Sequence, residues 1–420
     1  MLFGTPVGNQ TLDRVIIVGA GLAGLSCAVR LLERGKQVLL VEASDRVGGR
    51  LRTEKHQGFL MDRGFQVFLS AYPEAGKLLD LKALNLQSFR PGSLVFKDGK
   101  FHRLMDVFRC PRHAISTALQ PIGSFRDKLL VAKLRMETLL RNDFPAARKG
   151  LTTEEFLQEY GFSQDMIDSF FRAFYGGIFL ERDLRTSCRM FDFTFRMFAK
   201  GNATLPANGI EEIPKQLEGR LPPDAIFFNS PVNSVRHDGI TLTNGESLSA
   251  KQVVLATDIE TTNSLLPLPG EKSRSWRSVA GMYFAAPISP INEPIIALNG
   301  EGCGLVNNVC AVSDVSAGYA PHNKALMSVS VLGMPEEKNL EEEVRGELRI
   351  WFGEQVNEWQ HLRTDRIRRA LPEQSPKDDP GDSCGYQVRD GVMICGDHCT
   401  TASIEGAIVS GLRSADALCS

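Results

Sequence analysis

The sequence predicts an α/β fold organised around a parallel β-sheet, and its first fifty residues carry the prediction. Val15–Val18 form a continuous apolar, β-branched run, as a strand buried on both faces requires. The run ends in the glycine-rich turn Gly19–Gly24, after which apolar residues recur at helical spacing. A second apolar strand, Val38–Val41, closes on Glu42. Strand, glycine turn, helix, strand and acid together indicate a Rossmann-type dinucleotide-binding unit.

Each glycine of this turn has a physical role in binding a dinucleotide. Gly19 allows the tight turn, Gly21 lets a pyrophosphate approach the backbone, and Gly24 lets helix and strand pack closely. The phosphate then lies at the helix N-terminus, where free N–H groups and the helix dipole favour negative charge. A carboxylate at Glu42 suits a free ribose hydroxyl and would repel a 2′-phosphate.

Two motifs after Glu42 narrow the choice of dinucleotide. They are Arg46-Val-Gly48-Gly49-Arg50 and Asp62-Arg63-Gly64-Phe65-Gln66. Glu42 and the first motif form an E-x(3)-R-x-GGR pattern. By this pattern and the second motif the chain resembles the superfamily of flavin-containing amine oxidases, phytoene desaturases and protoporphyrinogen oxidases. That signature marks bound FAD, and non-covalent FAD is the cofactor that the resemblance implies. It also implies that the Gly48–Arg50 motif lies along the flavin and pyrophosphate, and that the Arg63–Gly64 region approaches the isoalloxazine ring.

The length of 420 residues favours two domains. We expect a Rossmann-type, GR2-like FAD-binding domain, interleaved with an α+β substrate-binding domain. The FAD-binding domain is predicted at 1–70, 201–263 and 381–420, and the substrate-binding domain at 71–200 and 264–380.

Composition excludes some classes of partner. The chain has 48 basic and 50 acidic residues, so its formal charge of −2 gives no electrostatic footprint for nucleic acid or for an anionic membrane. The nine scattered cysteines favour reduced thiols in an intracellular protein. Cys395 and Cys399 have no second ligand pair, so no metal site is predicted.

The sequence also bears on location. The N-terminal residues lack the basic and apolar regions of a secretory signal, and no apolar run reaches transmembrane length. We expect a cytoplasmic protein, and peripheral attachment to a membrane stays open because it needs only a small apolar patch.

The first part of the predicted substrate domain changes to helical patterns. Leu94–His102 reads as a hairpin with an Asp-Gly turn, Ser124–Leu140 as an amphipathic helix, and Thr152–Glu155 as a capping box. Residues 170–198 are dense in phenylalanine. These rings form either a helix–helix core or the lining of an apolar substrate tunnel.

The chain then returns to the cofactor domain. Pro206–Ile210 resembles the P-x-x-G segment at which relatives re-enter it, and in relatives the backbone at the Val232 position contacts the adenine. Val253–Thr257 reads as a buried strand ending in small residues near the cofactor. Beyond it, strands are predicted at 279–285, 295–298 and 326–332, and a helix at 340–356, followed by a loop at 374–382.

The last segment completes the resemblance. A strand at Val392–Cys395 leads to Gly396-Asp397, and a helix begins near Ser403. In flavoproteins of this type the acid at the Asp397 position binds the ribityl–phosphate end. The helix N-terminus near Ile404 points at the flavin pyrimidine, where its dipole stabilises the negative charge of reduced flavin.

The predicted FAD contacts are Gly19, Ala20, Gly21, Leu22, Ala23, Gly24, Glu42, Ala43, Arg46, Gly48, Gly49, Arg50, Arg63, Gly64, Phe65, Gln66, Val232, Ala256, Thr257, Gly396, Asp397, Ser403, Ile404 and Ala407. The predicted substrate-pocket residues are Phe174, Tyr175 and Tyr283. His398 is the one titratable group that the sequence places close to the flavin, either as a general base or as a structural hydrogen-bonding group.

Two departures separate the chain from the amine oxidase branch. The sequence from His398 to Ser403 lacks the Trp and Tyr of that branch's aromatic cage, and Ser278–Phe284 lacks the lysine that it places near flavin N5. Leu371-Pro372 and the phenylalanine-rich middle are more similar to the desaturase and protoporphyrinogen oxidase branches, which act on large apolar substrates. Cys384 lies near the position of covalent FAD attachment, but the motif around it does not match.

The expected function is therefore an FAD-dependent dehydrogenase, desaturase or oxidase. It would move hydride from a hydrophobic small molecule, polyene- or tetrapyrrole-like, to flavin N5, with O₂ or a quinone as acceptor. The single dinucleotide fingerprint argues against direct reduction by NAD(P)H. Non-redox isomerisation of a polyene, amine oxidation and a non-catalytic flavoprotein binding factor are the alternatives.

Overall fold

Two β-sheets, one mostly parallel and one mixed, organise the fold. The computed structural model describes residues 14–141, 143, 145, 148–236, 238–266, 275–336, 339–379, 386–389 and 391–420. The end of the loop predicted at 374–382 and the cysteine at position 384 fall outside these residues.

The mostly parallel sheet has six strands. In spatial order they are Ile226–Phe227, Gln37–Val41, Arg14–Val18, Gln252–Leu255, Val392–Ile394 and Tyr386–Arg389. The first five are parallel, and the sixth pairs antiparallel at the edge. Val15–Val18 are nearly inaccessible, because both faces of this strand are covered. The sheet confirms the predicted α/β, Rossmann-type fold.

Two helices pack together against this sheet. The first, Leu22–Glu33, follows the glycine turn, and the last, Ile404–Cys419, comes from the far end of the chain. They approach so closely at Gly411 that a Cβ there would lie 2.1 Å from the Ala23 carbonyl oxygen. The two ends of the sequence thus meet beside the glycine turn.

The mixed sheet has seven strands. In spatial order they are Gln360–Pro372, Trp276–Ala286, Ala325–Leu332, Val306–Ala311, Ile296–Asn299, Gly92–Lys97 and Lys100–Met105. The predicted hairpin is confirmed as the last two strands, and it joins the sheet through a parallel pairing with Ile296–Asn299.

Two strands of the mixed sheet were not predicted. Gln360–Pro372 carries five arginine or aspartate side chains among its first ten residues, so it lacks an apolar signature. It is nevertheless the longest strand, because Trp276–Ala286 offers it a partner along most of its length. Val306–Ala311 was also missed. The helix predicted at 340–356 ends at Phe352, where Gly353 adopts a φ of +78°.

The remaining short strands form three small sheets. They are Thr53–His56 with Phe59–Asp62; Phe68–Leu69, Ala203–Pro206 and Leu86–Ser88; and Val232–Arg236, Gly239–Leu242 and Ser247–Ser249. The third is the β-meander that precedes the strand Gln252–Leu255.

The other helices are Ala75–Leu78, Ala114–Ala118, Phe125–Leu140, Thr153–Tyr160, Gln164–Met166, Arg172–Phe179, Cys188–Lys200, Glu212–Glu218, Ile259–Leu265, Val312–Val315 and Leu340–Phe352. Two begin with capping boxes, Ser124 with Asp127 and Thr152 with Glu155. Within the described ranges no helix is both long and apolar enough to cross a bilayer.

Candidate functional site

A cavity of about 1210 Å³ runs from the glycine turn into the phenylalanine-rich helices. Its walls come from both sheets and from the helices Phe125–Leu140 and Arg172–Phe179. Small-molecule sites usually measure about 300–1,000 Å³, so this volume leaves room for a second molecule beside a dinucleotide.

One end of the cavity lies at the N-terminus of the helix Leu22–Glu33. Gly19 adopts a φ of +100°, and a Cβ there would lie 2.9 Å from the Ala256 carbonyl oxygen, so the turn requires glycine. A Cβ at Gly21 would meet nothing within 4 Å, which leaves space beside the backbone. In the described structure no side chain caps this helix, and its first turn holds no acid. The free N–H groups therefore suit an anion.

Glu42 lies in the cavity wall at the end of the neighbouring strand. Its Oε2 accepts from the Ala20 N–H at 2.8 Å, and its Oε1 accepts from the Ser44 N–H and hydroxyl at 2.9 and 2.7 Å. The carboxylate is 9% exposed and held by donors on both oxygens. Oε2 accepts only one of these bonds and keeps a further acceptor position, which fits a ribose hydroxyl.

Arg50 connects the glycine motif to the last segment of the chain. Its guanidinium donates to Asp397 Oδ1 at 2.6 Å and to the Ala370 carbonyl oxygen at 3.2 Å. Burial disfavours the charge of Arg50, but the Asp397 carboxylate outweighs it and raises the pKa of Arg50. Gln66 Nε2 donates to the backbone oxygens of Arg50 and Arg63 at 2.9 and 3.0 Å, which fixes the course of both segments.

The start of the last helix forms another part of the wall. The Ser403 hydroxyl accepts from the Gly406 N–H at 2.9 Å and caps the helix. Gln374 spans the preceding loop, because its Oε1 accepts from the Ala402 N–H and its Nε2 donates to the Thr400 carbonyl oxygen, both at 2.8 Å. Sequence reasoning placed Gln374 in a loop and missed this role, since nothing in the sequence pairs it with residues 26 and 28 positions away.

Most predicted FAD contacts line the cavity. They are Gly19, Gly21, Leu22, Ala23, Glu42, Ala43, Gly48, Gly49, Arg50, Arg63, Gly64, Phe65, Gln66, Val232, Ala256, Thr257, Gly396, Asp397, Ser403, Ile404 and Ala407. The structure brings these residues together from three separate parts of the chain.

Three predicted contacts lie behind the wall. Ala20 is inaccessible and acts through its N–H, which holds Glu42. Gly24 packs on the turn, since a Cβ there would lie 2.0 Å from the Gly19 carbonyl oxygen. Arg46 does not line the cavity; its guanidinium pairs with Glu54 and with Glu211. The ion pairs give Arg46 a structural role, and its contact with the cofactor stays a prediction.

Some rings of the phenylalanine-rich region line the cavity, and others form a helix–helix core. Phe170, Phe174, Phe195 and Phe198 are half-buried and line the cavity, whereas Phe179 and Phe191 are buried in a helical core. Tyr175 also lines the cavity but is only 2% exposed, and burial raises the pKa of its hydroxyl. Tyr175 is therefore a wall residue whose hydroxyl stays protonated at neutral pH.

Two predictions are corrected. Tyr283 does not line the cavity; it is buried in a separate core, and its hydroxyl donates to the Asp62 carbonyl oxygen at 2.7 Å. His398 is 3% exposed and also lies outside the lining, with its ring beneath Gly396, where a Cβ would come 2.5 Å from Nδ1. The structure thus favours a structural role for His398 over a general base.

Asp62 has a role that sequence reasoning missed. Its carboxylate accepts from Thr53 Oγ1 at 2.6 Å, the Ile210 N–H at 3.0 Å and the Tyr319 hydroxyl at 2.9 Å. Thr53 lies on the paired strand, whereas Ile210 and Tyr319 come from distant positions, so Asp62 connects the end of the strand Phe59–Asp62 to two remote segments of the chain. Burial raises its pKa from 3.8 to about 6, despite these donors.

The uncapped helix, the strand-end acid and the parallel sheet define a dinucleotide-binding protein of the α/β class. A family model described as flavin containing amine oxidoreductase matches residues 22–419. The chain therefore belongs to that family of FAD-dependent oxidoreductases, and the predicted family is confirmed.

Individual relatives agree with this assignment. The 15-cis-phytoene desaturase of Arabidopsis thaliana is 26% identical over 307 residues, 67% of this chain and 53% of that protein. Protoporphyrinogen oxidase 2 of Arabidopsis thaliana is 30% identical over 167 residues, 39% of this chain and 32% of that protein. The chain thus spans only about half or less of the length of these relatives. The structure of an oxidoreductase from Methanosarcina mazei aligns with a TM-score of 0.73 at 18% identity, over 95% of this chain and 99% of that one.

FAD is the cofactor of this family, and the residues present fit it. The helix N-terminus at Gly21 would take the pyrophosphate, Glu42 a ribose hydroxyl, and the wall from Asp397 to Ala407 the flavin end. The open space at Gly21 and the uncapped first turn are the observations on which this fit depends.

Proposed function

We propose that this protein is an FAD-dependent dehydrogenase, desaturase or oxidase for a hydrophobic small molecule, polyene- or tetrapyrrole-like. FAD, when bound, would serve as the acceptor of a hydride from a substrate C–H bond. O₂ or a quinone would then reoxidise the flavin. The relatives named as a phytoene desaturase and a protoporphyrinogen oxidase support both substrate classes.

The single observation that carries the proposal is the continuity of the cavity. The same space that begins at Gly19 and Glu42 extends between Phe170, Phe174 and Phe198. Aromatic walls hold an apolar molecule by burying its surface and excluding water. This part of the chain would therefore bind and orient an apolar substrate beside the flavin end of the site.

The charged side chains of the cavity argue against an amine substrate. Its described acids are Glu42, Asp106, Asp258 and Asp397, and each already accepts hydrogen bonds or pairs with an arginine. On the strand Trp276–Ala286 the lining residues are Trp276 and Val279, so no lysine faces the cavity there. In this described lining only Glu42 lacks an arginine partner, and it lies at the glycine turn, so an alkylammonium group beside the aromatic rings would meet no unpaired carboxylate.

The test is anaerobic reduction of the purified holoprotein. We expect candidate polyenes or porphyrinogens to bleach the flavin absorbance and simple amines to leave it unchanged. Phe174→Gln is expected to slow bleaching by the apolar substrate at least about tenfold, since a half-buried ring is replaced by a polar side chain. Its flavin content should match wild type, and Ile350→Gln, on an exposed helix position, serves as the surface control.

Three results would contradict the proposal. They are a preparation that binds no flavin, bleaching by amines alone, and equal effects of Phe174→Gln and Ile350→Gln. Turnover of a polyene without any electron acceptor would instead identify isomerisation, the non-redox alternative.

A further inference from the structure

Part of the cavity wall adjoins a surface that is unusually apolar. Of the eleven exposed large apolar side chains in the described structure, eight fall between positions 108 and 140. The apolar patch consists of Phe108, Ile115, Leu119, Phe125, Leu129, Met136, Leu139 and Leu140, which are 37–79% exposed. A cluster of this kind in a folded protein marks an interaction site.

The patch follows one stripe of the helix Phe125–Leu140. Phe125, Leu129, Met136 and Leu140 are spaced by 4, 7 and 4 residues, so they fall within about 60° of one another on a helix of 3.6 residues per turn. Leu134, on the opposite side, is 1% exposed and belongs to the helical core. The helix therefore has two apolar faces, of which the core covers one.

The same helix forms a wall of the cavity. Lys128, Val131, Ala132 and Arg135 line it, and they lie on the side of the helix next to the exposed stripe. Phe108 belongs both to the patch and to the cavity lining. The patch is thus continuous with the lining of the cavity.

The charge around the patch has the opposite sign to that of the whole chain. Residues 106–140 include six lysines or arginines and three acids, a net charge of +3, whereas the chain carries −2. Arg109 and Arg135 pair with Asp106. Apolar side chains interleaved with basic ones suit the headgroup–acyl boundary of an anionic bilayer. We infer that the apolar patch seats the protein on an anionic membrane surface, with the cavity open towards the lipid.

A second copy of the chain fits the apolar patch less well than a membrane does. A two-fold contact places the same patch on itself, so Arg126 and Lys133 of one copy would approach those of the other. A bilayer with anionic headgroups meets the same side chains with the opposite charge. The inference concerns attachment and does not depend on the substrate or the redox chemistry proposed above.

The experiment is flotation of the FAD-loaded protein with lipid vesicles. We expect binding to vesicles of phosphatidylcholine with phosphatidylglycerol, weaker binding to phosphatidylcholine alone, and a loss of binding as salt is raised. The triple variant Phe125→Ser/Leu129→Gln/Met136→Gln should bind at least about tenfold less, because each substitution removes an apolar group from the interface. A charge variant, Arg126→Glu/Lys133→Glu, should lose binding to anionic vesicles selectively.

Ile288→Gln/Ile350→Gln is the matched control, because these two side chains are 76% and 68% exposed outside the patch. It should float like wild type, and flavin content and melting temperature show that each variant is folded. Failure of the wild-type holoprotein to float on anionic vesicles would overturn the inference. So would equal losses in patch and control variants, or a dimer by light scattering that the triple variant dissociates. None of these results bears on whether the flavin is reduced by an apolar substrate.

Discussion

At the scale of single residues, Glu42 illustrates how chemistry and position combine. It ends a buried strand, faces the cavity and holds the glycine turn through the Ala20 N–H. The sequence predicted its role because the distance from the glycines is set by one helix and one strand. A group that both shapes the turn and accepts from the ribose should be sensitive to substitution.

Glu42→Ala is expected to weaken FAD binding by about tenfold or more, because it removes an acceptor from a buried polar contact. The dissociation constant is measured by titrating stripped protein with FAD and following flavin fluorescence. Glu33→Ala is the control, because Glu33 is an exposed acid at the far end of the helix Leu22–Glu33, and it should bind FAD like wild type. Unchanged affinity in Glu42→Ala would contradict the assigned role.

Asp62 gives the protein a pH-dependent component of stability. Its folded-state pKa of about 6 lies above its ordinary value of 3.8, so the folded protein binds this proton more tightly than the unfolded chain. The stabilisation from this proton is fully present below about pH 4 and is lost as the pH rises through about 6. A difference of two pKa units corresponds to at most about 3 kcal/mol.

Asp62→Asn, which mimics the protonated carboxyl, is expected to flatten this part of the pH profile. The melting temperature of wild type should fall relative to the variant between about pH 4.5 and 7. Thermal unfolding followed by circular dichroism at several pH values measures the difference. Asp98→Asn, in an exposed turn, is the control and should keep the wild-type slope; parallel profiles for wild type and Asp62→Asn would refute the explanation.

At the scale of elements, the site depends on close contacts between pieces that are distant in sequence. The first and last helices touch at Gly411 and Ala23, and the loop before the last helix is held by Gln374 from the end of the long strand. The helices themselves are predictable from apolar periodicity. The contacts are not, because Ala23 and Gly411 are 388 positions apart and Gln374 bonds groups 26 and 28 positions away, so no local pattern pairs these residues.

Two helical glycines should respond oppositely to the same substitution. Gly411→Ala is expected to destabilise the protein by about 1–3 kcal/mol or more, because the added Cβ meets a backbone oxygen at 2.1 Å. Gly346→Ala should stabilise it by up to about 1 kcal/mol, since the nearest atom is an arginine terminus at 3.9 Å and alanine favours a helix. Chemical denaturation of both variants measures the two free energies of unfolding, and equal signs would contradict the packing argument.

Gln374→Ala is expected to loosen the loop Thr400–Ala402 and to raise the dissociation constant for FAD about fivefold, since two buried hydrogen bonds are lost. Gln374→Glu keeps the acceptor for the Ala402 N–H and should retain part of the affinity. Gln355→Ala, on an exposed position, is the control. Wild-type affinity in Gln374→Ala would show that the loop is held by other contacts.

At the scale of the whole molecule, the cavity collects residues from the first, middle and last parts of the chain. Glu42, Val232 and Asp397 all lie in its wall, although they are separated by more than 150 residues in sequence. A ligand that contacts all three segments binds only the folded arrangement. Its binding free energy therefore adds to the stability of the fold.

Removal of FAD is expected to lower the melting temperature of the whole protein. The stabilisation should grow by about 1.4 kcal/mol for each tenfold rise of free FAD above its dissociation constant. Differential scanning fluorimetry of stripped protein over a series of FAD concentrations measures this. NADP is the control and should give a far smaller shift, because its 2′-phosphate would face the Glu42 carboxylate. A melting temperature that does not change with FAD concentration would contradict the proposed site.

The sequence alone determined the cofactor class, the parallel sheet and most of the cofactor wall, because these follow from local patterns such as Gly19–Gly24, Glu42 and the Gly48–Arg50 motif. The tertiary structure decided which aromatic rings face the cavity, that Tyr283, Arg46 and His398 lie outside it, and that Gln374 and Asp62 hold it together. It also showed that one helix carries an exposed apolar stripe. These outcomes depend on which surfaces the folded chain brings into contact, and a local pattern of residues does not contain that information.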